Sequence, residues 1–248
     1  MCKIVISNSC YDNIPYNEYY KENINYKGLV FVQHGFGSNK ERGTDSIALN
    51  LARNNYFVVS VDAYKHGERI EEPFISGPAY KMFADAIGVV HLTAKDILRL
   101  YDNVFAKSFK SFDVIGISLG GMIAYLLSTF TDKINKLVPV ISSPMFTKIV
   151  YLETEIDELE KYLEIVNKKR AEVELFDPSK NIDKMKYKKM FILNGTMDTV
   201  IPKRHSEAFY EQFSVDNVSF KLYEEGHNVS RGMQEDILSF ITGKSVRL

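Results

Sequence analysis

Cysteine is scarce in this chain: there are two, Cys2 and Cys10, both close to the start. One bridge between them is allowed, but two residues make neither a disulfide framework nor a metal cluster, and reduced thiols are the expected state. An excess of charge of one sign is also missing, with 31 Lys and Arg against 32 Asp and Glu and a formal net charge of −1. That balance offers no electrostatic footprint for nucleic acid or another polyelectrolyte. Long apolar runs are absent as well. Nothing approaches a membrane span, and Met1–Ser7 carries too short an apolar stretch for a secretory leader. No hydrophobic segment precedes Cys2, which argues against a lipoprotein signal, so cytoplasmic residence is the expectation. Internal repeats and low-complexity linkers are not found.

What is present is a globular composition: 248 residues, 45% hydrophobic and 25% charged, enough for one domain over 1–248 with a sizeable core. Homo-oligomerisation is allowed by this composition and not specified by it. Apolar runs alternate with helical patterns. Strands are expected at Gly28–Gln33, Tyr56–Val61, Phe112–Ile117, Lys136–Ser142, Lys189–Asn194 and Val218–Tyr223, and helices at about 44–54, 79–106 and 231–241. This alternation predicts an α/β fold with a mostly parallel central sheet flanked by helices. Ile4–Ile6 and Ile14–Tyr16 suit one or two antiparallel edge strands, and Pro139 weakens the expectation of interior pairing for its strand. Between Ser143 and Lys186 the alternation stops, while Ile156, Leu159, Leu163 and Val166 recur at helical spacing. That spacing predicts a helical cap insertion over 143–186 covering an acyl pocket; the plainer reading is a crossover helix packed on the sheet.

The chain is organised around Phe112–Tyr125, where an apolar run ends in Gly116-Ile117-Ser118-Leu119-Gly120 and passes into a helix. A serine on so tight a turn accepts a cramped backbone, and glycines two residues to either side remove the Cβ atoms that would collide as strand meets helix. The pattern also occurs by chance, so its context decides. The N–H groups at the start of the following helix point toward developing negative charge, which makes Leu119 N–H one oxyanion donor. The His34-Gly35-Phe36-Gly37-Ser38 turn after a buried strand supplies Phe36 N–H as the second. Asp198 and His227 each follow another strand end, in the order serine, acid, histidine that a nucleophile on such a turn requires. His227 would take the serine proton, and Asp198 would fix the imidazole tautomer and stabilise the imidazolium.

Other titratable residues read as structural. His34 more often holds its loop than acts as a base, and His91 on an apolar helical stripe is expected packed and hydrogen-bonded. Asp62 to Arg69 matches no zinc or calcium spacing, so its charges are expected to tie a long loop together. His205, beside Lys203 and Arg204, reads as a surface or capping residue. Asp183 and Glu224 are alternative acids that position disfavours.

On His34-Gly35-Phe36-Gly37, the His66-Gly67 pair within 62–69, Gly116–Gly121, Gly195–Pro202 and Gly226-His227, the chain resembles the α/β-hydrolase family. The likeness runs from about Leu29 onward and is nearest to the small bacterial esterases related to the prolyl oligopeptidase-type peptidase domain. It implies hydrolysis of an ester, amide or thioester through an acyl-enzyme, with no metal or organic cofactor. The leading expectation is a serine carboxylesterase for short or medium acyl groups on small-molecule substrates, with Phe36, Met145, Phe146 and Tyr151 lining the pocket. A peptidase or amidase is the alternative within the fold, disfavoured by a short N-terminal region and a modest insertion. A catalytically silent binding protein is the alternative outside enzymology.

Overall fold

A computed structural model describes residues 3–70, 79–149, 164, 171–213 and 216–246. Its centre is an eight-stranded sheet in the order β1-β2-β4-β3-β5-β6-β7-β8. The strands are β1 (Ile4–Tyr11), β2 (Ile14–Lys21), β3 (Leu29–Gln33), β4 (Phe57–Val61), β5 (Phe112–Ile117), β6 (Ile134–Val140), β7 (Lys189–Gly195) and β8 (Val218–Tyr223). β1 and β2 form an antiparallel hairpin that joins β4 antiparallel, and every other pairing is parallel. Side-chain patterning explains the order. The largely apolar strands β3 and β5 are buried at every position, as strands covered on both faces must be. The hairpin strand β1 and the edge strand β8 are buried only in part.

Pro139 sits inside this sheet after all. It pairs opposite Gly116 of β5, while the ladder to β7 is interrupted at Val138 and Pro139 and resumes at Val140. The missing N–H thus falls where no bond is asked of it.

Helices α1 (Asp45–Arg53), α2 (Ala79–Leu100), α3 (Leu119–Leu127), α4 (Phe146–Ile149), α5 (Arg204–Phe213) and α6 (Arg231–Thr242) cover the two faces. Two cores result. One packs α2, α3 and α5 on Phe31, Val114, Leu137 and Ile192; the other packs α1 and α6 on Val32, Ile115, Val138 and Leu193. Alternate residues of each central strand serve opposite cores, as the period of two dictates. The long helix expected to Ala106 instead ends at Leu100 and widens into a π turn over Tyr101–Phe105, closed by Ala106 N–H donating to Tyr101 O at 2.8 Å. Tyr101 and Phe105 are buried there, against Phe112 and Phe31 respectively.

Of the predicted insertion, Ile156, Leu159, Leu163 and Val166 lie outside the described residues. Its two ends are clasped together by Asp177, which is fully buried. Asp177 Oδ2 accepts from the N–H and hydroxyl of Thr147 at 2.9 and 2.8 Å, and Oδ1 from the N–H and hydroxyl of Ser179 at 2.9 and 2.5 Å. Two buried carboxylate oxygens that each receive two hydrogen bonds leave no lone pair stranded.

Candidate active site

Ser118 stands between β5 and α3 with φ 53° and ψ −113°, a backbone conformation an L side chain seldom accepts. The strand and helix around it approach so closely that a Cβ on Gly116 would lie 2.0 Å from Gly120 O, and one on Gly120 would lie 2.3 Å from Gln33 O. One on Gly121 would lie 2.4 Å from Ser142 Cβ. The glycines are therefore steric requirements of the turn.

The turn is braced from below. Ser118 O accepts from Ser142 Oγ at 2.8 Å as well as from the N–H groups of Gly121 and Met122. Ser142 O in turn accepts from Ser206 Oγ at 2.9 Å, and Ser206 Oγ lies 3.2 Å from Asn194 Oδ1. Ser142, Asn194 and Ser206 are all buried, so β6, β7 and α5 are tied to the serine turn through satisfied polar groups. Sequence reasoning missed Ser142, whose only signal was its place just past a strand end next to the serine strand.

The three chemistry-bearing side chains predicted from strand ends do meet. His227 Nε2 lies 2.9 Å from Ser118 Oγ, and His227 Nδ1 lies 2.8 Å from Asp198 Oδ2. Asp198 is buried, and its other oxygen, Oδ1, accepts from Val200 N–H at 2.9 Å and Ile201 N–H at 2.8 Å. Those two amides orient the carboxylate so that Oδ2 faces the imidazole. An acceptor on Nδ1 makes that nitrogen the N–H, which leaves Nε2 as the lone-pair side toward the hydroxyl.

Ser118 and His227 open on a cavity of about 600 Å³. Gly35, Phe36 and Leu119 share its wall with Ser118, and an ideal Cβ on Gly35 would stand 3.4 Å from Ser118 Cβ. The two proposed amide donors, Phe36 N–H and Leu119 N–H, thus belong to segments flanking the hydroxyl. Among the described residues, the α2/α3 side of the cavity is apolar, made by Ala86, Ile87, Met122 and Ile201. The side next to α1 and α6 combines Ile117, Ile141 and Val229 with Ser38, Asn228 and Gln234.

The pocket expectation needs correction. Met145 and Phe146 do not line this cavity; Phe146 is fully buried in the α2/α3/α5 core, and Met145 packs against that core. Tyr151 lies outside the described residues. Both are apolar residues at the start of the expected insertion, and core packing takes them up. Ile87 and Met122 line the cavity instead, and both belong to helical stripes that spacing alone assigns to the core.

The remaining histidines divide. His34 is fully buried; Ala63 N–H donates to its Nε2 at 3.0 Å and its Nδ1 lies 2.8 Å from Gly35 O, so the ring is a neutral strut between two loops. Burial pushes its pKa down to about 4. His91 stacks on Phe176 with centroids 3.9 Å apart; among the described residues it makes no hydrogen bond, contrary to expectation. His205 is not a surface residue. It is buried on the same face of α5 as Phe209, and burial lowers its pKa, with Arg204 and Lys148 adding to the effect. Asp183 and Glu224 are exposed.

The loop after β4 is tied together as expected. Asp62 is buried, with Oδ1 accepting from Lys40 N–H at 2.7 Å and Oδ2 from Glu68 N–H at 2.9 Å. The Lys40 ammonium is also buried, 3.5 Å from Asp62 Oδ2 and in contact with Glu68. Burial alone would lower the Lys40 pKa, yet the two carboxylates hold it above the ordinary lysine value. Gly67, at φ 56°, passes so near that a Cβ would sit 2.2 Å from the Asp62 carboxylate.

A doubly covered, mostly parallel sheet with a serine on a strained strand-to-helix turn defines an α/β-hydrolase fold. Residues 76–236 match the model of the PGAP1-like alpha/beta domain, and the chain belongs to that family. It is 26% identical over 219 residues, 84% of each chain, to a Bacillus subtilis (strain 168) protein described as "Putative esterase YitV". Among solved structures it is similar to TT1662 from Thermus thermophilus, with a TM-score of 0.79, 17% identity and coverage of 97% of this chain and 98% of that one. The Pyrococcus furiosus esterase Pf2001 is similar with a TM-score of 0.66 and 18% identity, over 98% and 91% of the two chains.

Proposed function

We propose that the protein is a serine hydrolase that cleaves carboxylic esters of short or medium acyl groups through an acyl-enzyme. The observation that carries the reading is the unbroken hydrogen-bond chain from Ser118 Oγ through His227 to Asp198, at 2.9 and 2.8 Å, opening on a largely apolar cavity. The described relatives, one a candidate esterase and one an esterase, lean the same way.

In the first step Ser118 Oγ bonds to the ester carbonyl carbon while its proton passes to His227 Nε2. The carbonyl oxygen becomes an oxyanion, which the N–H groups of Phe36 and Leu119 receive. Collapse expels the alcohol oxygen, and His227 returns the proton to it. Water, activated by the same imidazole, then releases the acid and restores the serine. Asp198 stays ionised throughout, holding the tautomer and offsetting the imidazolium charge. No metal or organic cofactor takes part in this sequence.

The test is hydrolysis of p-nitrophenyl acetate and butyrate by wild type and Ser118→Ala, with fluorophosphonate labelling in parallel. Wild type is expected to turn over both esters and to be labelled. Ser118→Ala is expected to lose roughly 10⁵–10⁶ in kcat, as other triad nucleophiles do. Equal rates in the two proteins reject Ser118 as nucleophile, and aminoacyl anilides cleaved faster than matching esters would move the assignment to an amidase.

A further inference from the structure

The cavity is asymmetric about Ser118, and the asymmetry falls along the sheet. Among the described residues, the side chains on the α2/α3 face are Ala86, Ile87, Met122 and Ile201, with no polar group among them. Apart from Ser118 and His227, the polar side chains among the described lining residues sit on the opposite face, Ser38 ahead of α1, Asn228 ahead of α6 and Gln234 within α6.

Ser38 Oγ donates to Arg42 O at 2.8 Å and Asn228 Nδ2 donates to Glu225 Oε2 at 3.1 Å, whereas the side-chain N–H groups of Gln234 are not engaged among the described residues. Gln234 lies one turn into α6, where its backbone N–H donates to Ser230 O at 3.0 Å, only a few residues past His227. Its side-chain oxygen Oε1 accepts from Ser46 Oγ on α1 at 3.0 Å, a bond that spans two helices packed on one another. With the carbonyl end engaged, the amide end of the same group is the one available to the cavity; Nε2 makes no hydrogen bond among the described residues.

Which part of an ester meets that amide follows from proton transfer. His227 must hand its proton to the departing oxygen, so the alcohol portion leaves on the His227 side. Asn228 and Val229 directly follow His227 and Gln234 stands on the helix they lead into; all three line the cavity, and their descent from His227 assigns them to the leaving-group side. The acyl portion then occupies the apolar half against Ile87 and Met122.

We infer that Gln234, held by Ser46, is a specificity-determining hydrogen-bond donor to the alcohol portion of the substrate. The preferred substrates are esters whose alcohol carries a hydroxyl or ether oxygen a few bonds beyond the scissile one. This rests on the ester-hydrolase reading and goes beyond it by assigning the polarity of the leaving group.

The experiment compares 2-methoxyethyl butyrate with butyl butyrate, which have the same chain length and differ by one oxygen in place of a methylene. The readout is the ratio of their kcat/KM values in wild type, Gln234→Leu and Ser46→Ala. Wild type is expected to favour the methoxyethyl ester by about fivefold, the effect of one neutral hydrogen bond. Gln234→Leu brings the ratio to near one, and Ser46→Ala lowers it part of the way by freeing the carboxamide. A ratio within one preparation is insensitive to the fraction folded, and Ser46 is exposed, so its variant carries the test if Gln234→Leu folds poorly. Equal rates in wild type, or a ratio that both variants leave in place, overturn the Gln234 assignment and leave Ser118 standing as nucleophile. Turnover of neither ester overturns both readings.

Discussion

Two aspartates, Asp62 and Asp198, each lie just past the end of a parallel strand, are buried, and have a histidine within a few residues or directly in contact. Their surroundings differ in one respect. Both oxygens of Asp62 are occupied by fixed donors, the N–H groups of Lys40 and Glu68, with the Lys40 ammonium beside them. Asp198 spends only Oδ1 on backbone and keeps Oδ2 for an imidazole that faces a cavity. A carboxylate closed on itself by backbone and lysine can only hold a loop. One with a single oxygen reserved for a partly exposed base can tune that base.

Breaking the two sites should therefore give opposite signatures. Asp198→Asn keeps an acceptor for Val200 and Ile201 but offers the wrong group to His227; kcat is expected to fall about 10⁴-fold with little change in melting temperature. Asp62→Ala leaves the buried Lys40 ammonium with Glu68 alone and strips the Lys40 and Glu68 N–H groups of their acceptor, and is expected to cost about 3–5 kcal/mol of stability in denaturant unfolding. Activity per folded molecule should survive. If Asp62→Ala melts like wild type, or if Asp198→Asn stays fast, the contrast fails.

His34 sharpens the comparison in pH. Its folded pKa of about 4 lies below the ordinary value of 6.5, so the unfolded chain takes up its proton first as pH falls. The neutral strut thus contributes in full above pH 6.5, and its contribution declines between 6.5 and 4 by about 3 kcal/mol before levelling off. Melting temperature measured across that window should drop less steeply in His34→Gln than in wild type. The smallest effect is expected at the brace: Ser142→Ala removes one donor to Ser118 O and should lower kcat by several-fold, about 1 kcal/mol, with KM little moved.

The strand ends and the serine turn were legible in the sequence because short-range rules govern them. A β-branched and aromatic run announced β3 and a short apolar run announced β5, and Gly116, Gly120 and Gly121 announced a turn whose tightness excludes any Cβ. Asp198 and His227 could be placed because a parallel sheet gathers its strand ends at one edge. Cavity walls were not legible. Ile87 and Phe146 look alike as apolar helical residues and both are buried, yet only Ile87 reaches the cavity, a distinction set by tertiary packing that spacing does not encode. His205 was misplaced for a related reason. Basic neighbours in sequence suggested solvent, whereas the spacing to Phe209 turns its ring inward. Gln234 carried no signal at all until α1 and α6 were seen to touch.

The backbone at Ser118 works against the stability of the fold. A side chain held at φ 53° is strained by about 1–3 kcal/mol, and glycine would sit there at ease. Ser118→Gly should therefore melt above wild type while losing all turnover. The backbone at residue 118 thus sets heat resistance against the hydroxyl, two properties that this one substitution should separate.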